Sequence, residues 1–153
     1  MHPLLIFLYC SAMCEDSITQ HKRDVYDTFI HCFFPDAPST LFHPDPCVML
    51  SVFHSQFQPT SYDWDDIIHL VTHDISPKTW GPALWSCLYT LASSAQFQNL
   101  SLVLPLLVFL MPCHTCTTHL NSFLAQNPPA FVTSTDASTY VRHLHSTVNM
   151  IKI

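Results

Sequence analysis

Two cysteines three apart, Cys113 and Cys116, sit in "PCHTCTTHLNSFLAQNPP" (residues 112–129), where a helix should begin. A CxxC pair serves three kinds of chemistry: a metal site, a permanent cross-link, or reversible thiol–disulfide exchange. Zinc would take Cys113, Cys116 and His119, with His143 or His145 as a fourth ligand. Against that, there is no second CxxC or His-x3–5-His pair at the usual distance, and the cysteines open a helix instead of a knuckle between strands. Redox chemistry suits the position better. A cysteine at a helix N-terminus faces the positive end of the helix dipole and unpaired N–H groups, which stabilise a thiolate. Exchange needs both sulfurs, because one is attacked by an incoming thiolate while the other leaves. No βαβ pattern surrounds the pair, so its electrons must pass to an acceptor held among helices.

The elements that must position this pair are helical. "TWGPALWSCLYTLASSA" reads as a first helix, with Thr79 as its cap and Pro82 in its first turn. Trp85, Leu88, Tyr89 and Ala92 share one face of it at i, i+3, i+4, i+7. The apolar run "LSLVLPLLVFLM" (100–111) is too short to span a bilayer and reads as a buried helix, kinked at Pro105 or with Pro105 in its first turn. The third helix starts at Pro112 or Cys113 and stops at Asn127-Pro128-Pro129, with Cys113, Cys116, Leu120, Phe123 and Leu124 inward. The fourth, "STYVRHLHSTVNMI", takes Asp136 or Ser138 as its cap and aligns Tyr140, Val141, Leu144, His145, Val148 and Asn149. His145 and Asn149 are polar groups on an otherwise apolar stripe, and buried polar groups need partners. Neighbouring backbone is one source of partners and a bound polar ligand is the other. Aromatic residues on the first helix and His/Asn on the fourth suit a flat heteroaromatic ring.

Composition narrows the classes. The chain has 153 residues, 48% of them hydrophobic, so a core can form. Five basic residues against eleven acidic ones leave no surface for phosphates, which disfavours nucleic acid. Charged residues total only 10%, which suggests that part of the surface is covered by a subunit, a cofactor or a membrane. One glycine, Gly81, rules out Gly-rich phosphate loops and removes the glycine turns of an all-β fold. The seven cysteines are an odd number and form no tidy secreted framework. The fold class is therefore all-α. A shift near residue 75 divides a Pro- and aromatic-rich part, 1–74, from the helical part, 75–153. Within the first part, "TSYDWDDIIHLVTHDIS" reads as a short helix capped by Thr60 or Ser61, and "FFPDAPSTLFHPDPC" as a turn-rich loop. The apolar run from Leu4 to Met13 has no basic residue before it and reads as a buried N-terminal helix, a signal-peptide core being the alternative.

"WGPALWSCLYTLA", "LMPCHTC" and "YVRHLHSTVN", in that order and with "NPP" between the last two, resemble the Erv/ALR sulfhydryl oxidases, whose pattern is WG-x3-W-x2-LHT, PC-x2-C and W/Y-x4-HN-x-VN. The likeness covers about residues 79–149 and is greatest to short forms encoded by large DNA viruses. It implies a four-helix bundle of the Erv/ALR type, FAD as cofactor, and a homodimer. It also implies protein dithiols as substrates, with oxygen as acceptor and hydrogen peroxide as product. By position, Cys113 is the exchanging sulfur and Cys116 the one against the flavin. Gly81, Trp85 and Tyr89 line the cofactor, His145 and Asn149 hold its adenine side, Lys152 reaches its phosphates, and His119 falls where viral members carry histidine. Gly81 has a second reading, as help for the chain entering the helix.

Tyr89 stands where the family usually has His, and Ser146 where it usually has Asn. Residues before about 75 match nothing in the pattern; there Cys10 and Cys14 are a candidate shuttle pair, with two buried cysteines as the plain alternative. The compartment stays open: infected cytoplasm or virion for a viral form, mitochondrial intermembrane space or secretory pathway for a cellular one. The non-enzymatic alternative is a small helical binding module with the Cys/His zinc site above.

Overall fold

The computed structural model describes residues 3–39, 41–57 and 75–148. Among them are seven α-helices and no strand, as an all-α chain requires. The helices are α1 (Pro3–Met13), α2 (Gln20–Phe33), α3 (Pro46–Phe57), α4 (Pro77–Ala92), α5 (Leu100–Leu110), α6 (His114–Gln126) and α7 (Ser134–Val148), with a 3-10 turn at Phe97–Asn99. α1 packs on α3 and α4, α2 on α5, α4 on α7, α5 on α6, and α6 on α7. One buried apolar cluster runs through all of them. No helix among the described residues is long and apolar enough to cross a membrane.

Helix ends follow local chemistry, with departures from the expectations above at the starts of α4 and α7. α4 begins a turn earlier than Thr79, with Ser76 as its N-cap and Pro77 in its first turn. Proline is pre-set for that position, since its φ is helical and it lacks an N–H that would go unused there. Pro82 therefore lies inside the helix. The helix passes through it because the preceding residue, Gly81, has no Cβ to clash with the proline ring, and Pro82 itself faces solvent. α5 begins at Leu100, so Pro105 lies beyond its first turn, on the exposed side of a helix that runs on to Leu110. α7 begins at Ser134, one turn before the expected cap. Thr133 Oγ1 accepts the Asp136 N–H at 3.2 Å, and Asp136 Oδ2 accepts the Val132 and Thr133 N–H groups, each at 3.2 Å. This is a reciprocal capping box, with Asp136 its third helical residue and not the cap. The helix expected after Thr60, together with Thr60 and Ser61, lies outside the described residues.

α1 is the expected buried helix. Eight of its eleven residues are buried, as befits a helix that is apolar all round. Within it the buried Ser11 shares a 2.9 Å hydrogen bond with the Tyr26 hydroxyl of α2. Burial raises the Tyr26 hydroxyl's pKa, keeping it neutral. The sequence reading did not anticipate α2 and α3, although both have legible starts. Thr19 Oγ1 accepts the Lys22 N–H at 3.0 Å, and Asp45 Oδ1 accepts the Cys47 N–H at 2.8 Å just before Pro46 opens α3.

His31, at the end of α2, gives a pH prediction. Its Nδ1 faces the Asp27 carbonyl at 2.7 Å and its Nε2 the Ala37 carbonyl at 2.6 Å. Carbonyls only accept, so both nitrogens must donate, and only the imidazolium does that. These two bonds, and then the Asp27 carboxylate 3.7 Å away, raise its pKa above the ordinary histidine value. A folded-state pKa above the unfolded one gives stability that is complete below the unfolded value, ~6.5, and lost as pH rises through the folded value. The melting temperature of the parent should therefore fall relative to His31→Gln as pH rises from about 6.5. Parallel curves for the two proteins would contradict the imidazolium.

Candidate functional site

α5 ends at Leu110 and α6 begins at His114, so Met111, Pro112 and Cys113 form the whole link between them. Cys113 is the N-cap of α6, with extended backbone (φ −161°, ψ 111°). Its Sγ accepts the Cys116 N–H at 3.2 Å, using one of the free donors of the first turn. The two sulfurs are joined in a disulfide across that turn, with the Cα atoms 5.3 Å apart. Their environments differ. Cys113 is half-buried, whereas Cys116, the third helical residue, is 2% exposed and part of the core. A thiolate arriving from solvent thus meets Cys113 first. Leu120 and Phe123 continue the buried stripe, and Asn127 ends the helix before Pro128. Phe123 and Phe131 meet the Tyr140 ring edge-on, and the Tyr140 hydroxyl donates to the Asn127 carbonyl, tying the end of α6 to α7.

A second group of the expected residues meets between α4 and α7. Trp85 and His145 stack with ring centres 4.0 Å apart and planes 16° from parallel. Tyr89, one turn on from Trp85, shares a 3.0 Å hydrogen bond between its hydroxyl and His145 Nδ1. The sequence offered His145 neighbouring backbone or a bound ligand as a partner; the structure supplies neither at Nδ1 but a side chain from another helix, brought there by packing of α4 on α7. The Trp85 indole N–H is buried and has no acceptor among the described residues. Gly81 is buried one turn before Trp85 on the same face of α4, where it presents no side chain.

The residues present fit a flat ring that carries acceptor atoms. The orphaned indole donor of Trp85 calls for an acceptor, and Gly81 keeps the neighbouring turn bare. His119, one turn on from Cys116, is exposed. Asn149 and Lys152 lie outside the described residues.

Of the remaining cysteines, Cys14, Cys32, Cys47 and Cys87 are free thiols. Cys10 is fully buried in α1, whereas Cys14 is exposed beyond its end, so the reading of both as buried cysteines holds for Cys10 alone. Burial pushes the Cys87 thiol up to about 12 and raises that of Cys32, leaving both unreactive. Among the described residues no three His, Cys, Asp or Glu side chains gather as a metal site. His145 is held by Tyr89, and His143 lies edge-on to Phe123 at 5.1 Å. Sequence reasoning missed Trp80, whose fully buried indole donates to the Ile75 carbonyl at 3.1 Å. Its apolar bulk beside Gly81 was the available signal.

Neither a curated protein sequence nor a solved structure matches this chain. Residues 82–151 match the family model described as Erv1 / Alr family. The match takes in Trp85, Tyr89, Cys113, Cys116, His119, His145 and Asn149, and leaves Gly81 and Lys152 just outside. With its motifs on α4, α6 and α7, the segment 82–151 of this chain is similar to the Erv1/Alr family.

Proposed function

We propose that the protein is an FAD-dependent thiol oxidase that makes disulfides in protein substrates and delivers the electrons to oxygen. The Erv1/Alr family is, in general, one of FAD-linked sulfhydryl oxidases. The observation that carries the reading for this chain is the Cys113–Cys116 disulfide at the mouth of α6, one sulfur toward solvent and the other in the core.

The protein's own steps follow from that asymmetry. A substrate thiolate attacks Cys113 Sγ, forming a mixed disulfide and breaking the Cys113–Cys116 bond. Cys116 leaves as a thiolate, stabilised by the helix dipole and the free N–H groups of the first turn. The second substrate thiolate then attacks the substrate sulfur of the mixed disulfide and releases Cys113. Two electrons have moved from the substrate to the cysteine pair. When bound, FAD supplies a two-electron acceptor that restores the pair and passes the electrons to oxygen, giving hydrogen peroxide. Trp85, Tyr89, His145 and Gly81 are the described residues that would hold it, Trp85 through its free N–H. Tyr89, in place of the usual His, fixes the His145 ring against Trp85. The family reading also carries a homodimer, and exposed Leu102 and Phe109 on α5 offer it an apolar face.

Two measurements test the reading together. The purified protein with FAD should show a flavin absorbance band and consume oxygen when given dithiothreitol. FAD at about a hundred times its dissociation constant should add ~2.7 kcal/mol of stability and raise the melting temperature accordingly. A colourless protein with no thermal shift in excess FAD would sink the proposal.

A further inference from the structure

The last carbonyls of a helix have no donor within it, and the Phe109 carbonyl of α5 is one of these. Lys22 of α2 supplies its donor, through a hydrogen bond from Nζ. The same ammonium pairs with Glu15 at 3.0 Å and lies 5.9 Å from the centre of the Tyr26 ring. The His21 ring meets the Phe109 ring edge-on at 6.3 Å. Two consecutive residues of α2 therefore grip Phe109, one by its carbonyl and one by its ring. Phe109 is four residues before Cys113, and the link between them includes Pro112, whose φ is fixed. A cation at a helix C-terminus is favourable in any protein. Here it also holds the frame from which Cys113 is presented.

We propose that Lys22 is a positioning residue for the redox pair: by holding the Phe109 carbonyl, it keeps Cys113 where Cys116 can close on it. This gives the N-terminal helices a role in the chemistry, and it rests on the reading of Cys113–Cys116 as the exchanging disulfide. Ring closure by two thiols depends on their effective concentration. Loosening the link lowers that concentration, so the pair should become easier to reduce.

The test is the equilibrium of the Cys113–Cys116 pair with oxidised and reduced glutathione, for the parent and the K22M, K22R and T133A variants. Alkylation of thiols followed by peptide mass spectrometry separates this pair from the five other cysteines, and circular dichroism confirms folding. K22M should shift the equilibrium about fivefold toward the dithiol, ~20 mV for a two-electron couple. K22R, which keeps a charged donor, should restore it. T133A removes the cap of α7, lowers stability, and should leave the equilibrium in place. A K22M shift no larger than that of T133A, or one that K22R does not reverse, overturns the proposal. Should K22M not fold, K22Q, with a shorter neutral donor, should shift the equilibrium in the same direction by a smaller factor, and no shift overturns the proposal equally. The measurement uses neither flavin nor oxygen, so a failure of oxidase activity would be separate from a failure here.

Discussion

Serine in place of Cys116 should lower dithiothreitol-driven oxygen consumption by about three orders of magnitude or more, and serine in place of Cys113 should do the same. Each change removes a sulfur that the exchange cannot proceed without. The two variants should differ in what they trap. With Cys116→Ser, the half-buried Cys113 keeps its thiol but loses its resolving partner. Its thiolate attacks glutathione disulfide, releases one glutathione and retains the other as a stable mixed disulfide. With Cys113→Ser, the remaining sulfur is Cys116, only 2% exposed, and capture should be slower by roughly tenfold or more. Peptide mass spectrometry reads both. Equal capture at the two positions would mean that the asymmetry of burial does not direct the attack, and retained oxygen consumption in either variant would remove the pair from the mechanism.

Trp80→Ala should cost about 3–5 kcal/mol and lower the melting temperature by roughly 10 °C. Trp80 is fully buried near the start of α4, and Phe7 of α1 meets it edge-on at 5.9 Å. Phe7 in turn touches Phe29 of α2 at 5.7 Å. Removing the indole opens a cavity among three helices and leaves the Ile75 carbonyl without its donor. Because α1 and α2 share this core with α4 and α5, the loss should appear as a single displaced transition in both calorimetry and circular dichroism. Two separated transitions would mean that the N-terminal helices unfold on their own.

Much of α4 to α7 could be read from residue order. Trp85, Leu88 and Ala92 are buried as their spacing implies, and α6 stops at Asn127. The misplaced starts have one cause: several nearby residues were competent to cap. Ser76-Pro77 prevailed over Thr79, and Thr133 with Asp136 prevailed over Asp136 or Ser138, because each gave the first turn an additional partner or a pre-set backbone. α2 and α3 were harder to see, because proline and aromatic residues around them read as loop.

What the sequence determined by itself is therefore local: an all-α chain, a cysteine pair at a helix mouth, and which face of each C-terminal helix is apolar. Capping, proline geometry and helical period act within a few residues, and one chain segment contains all the information they need. The tertiary structure alone decided which distant groups meet. Tyr89 holds His145 across 56 positions, and Lys22 reaches Phe109 across 87. Such contacts form where helices pack, and packing is settled by the fit of whole buried faces, which no short stretch of sequence encodes.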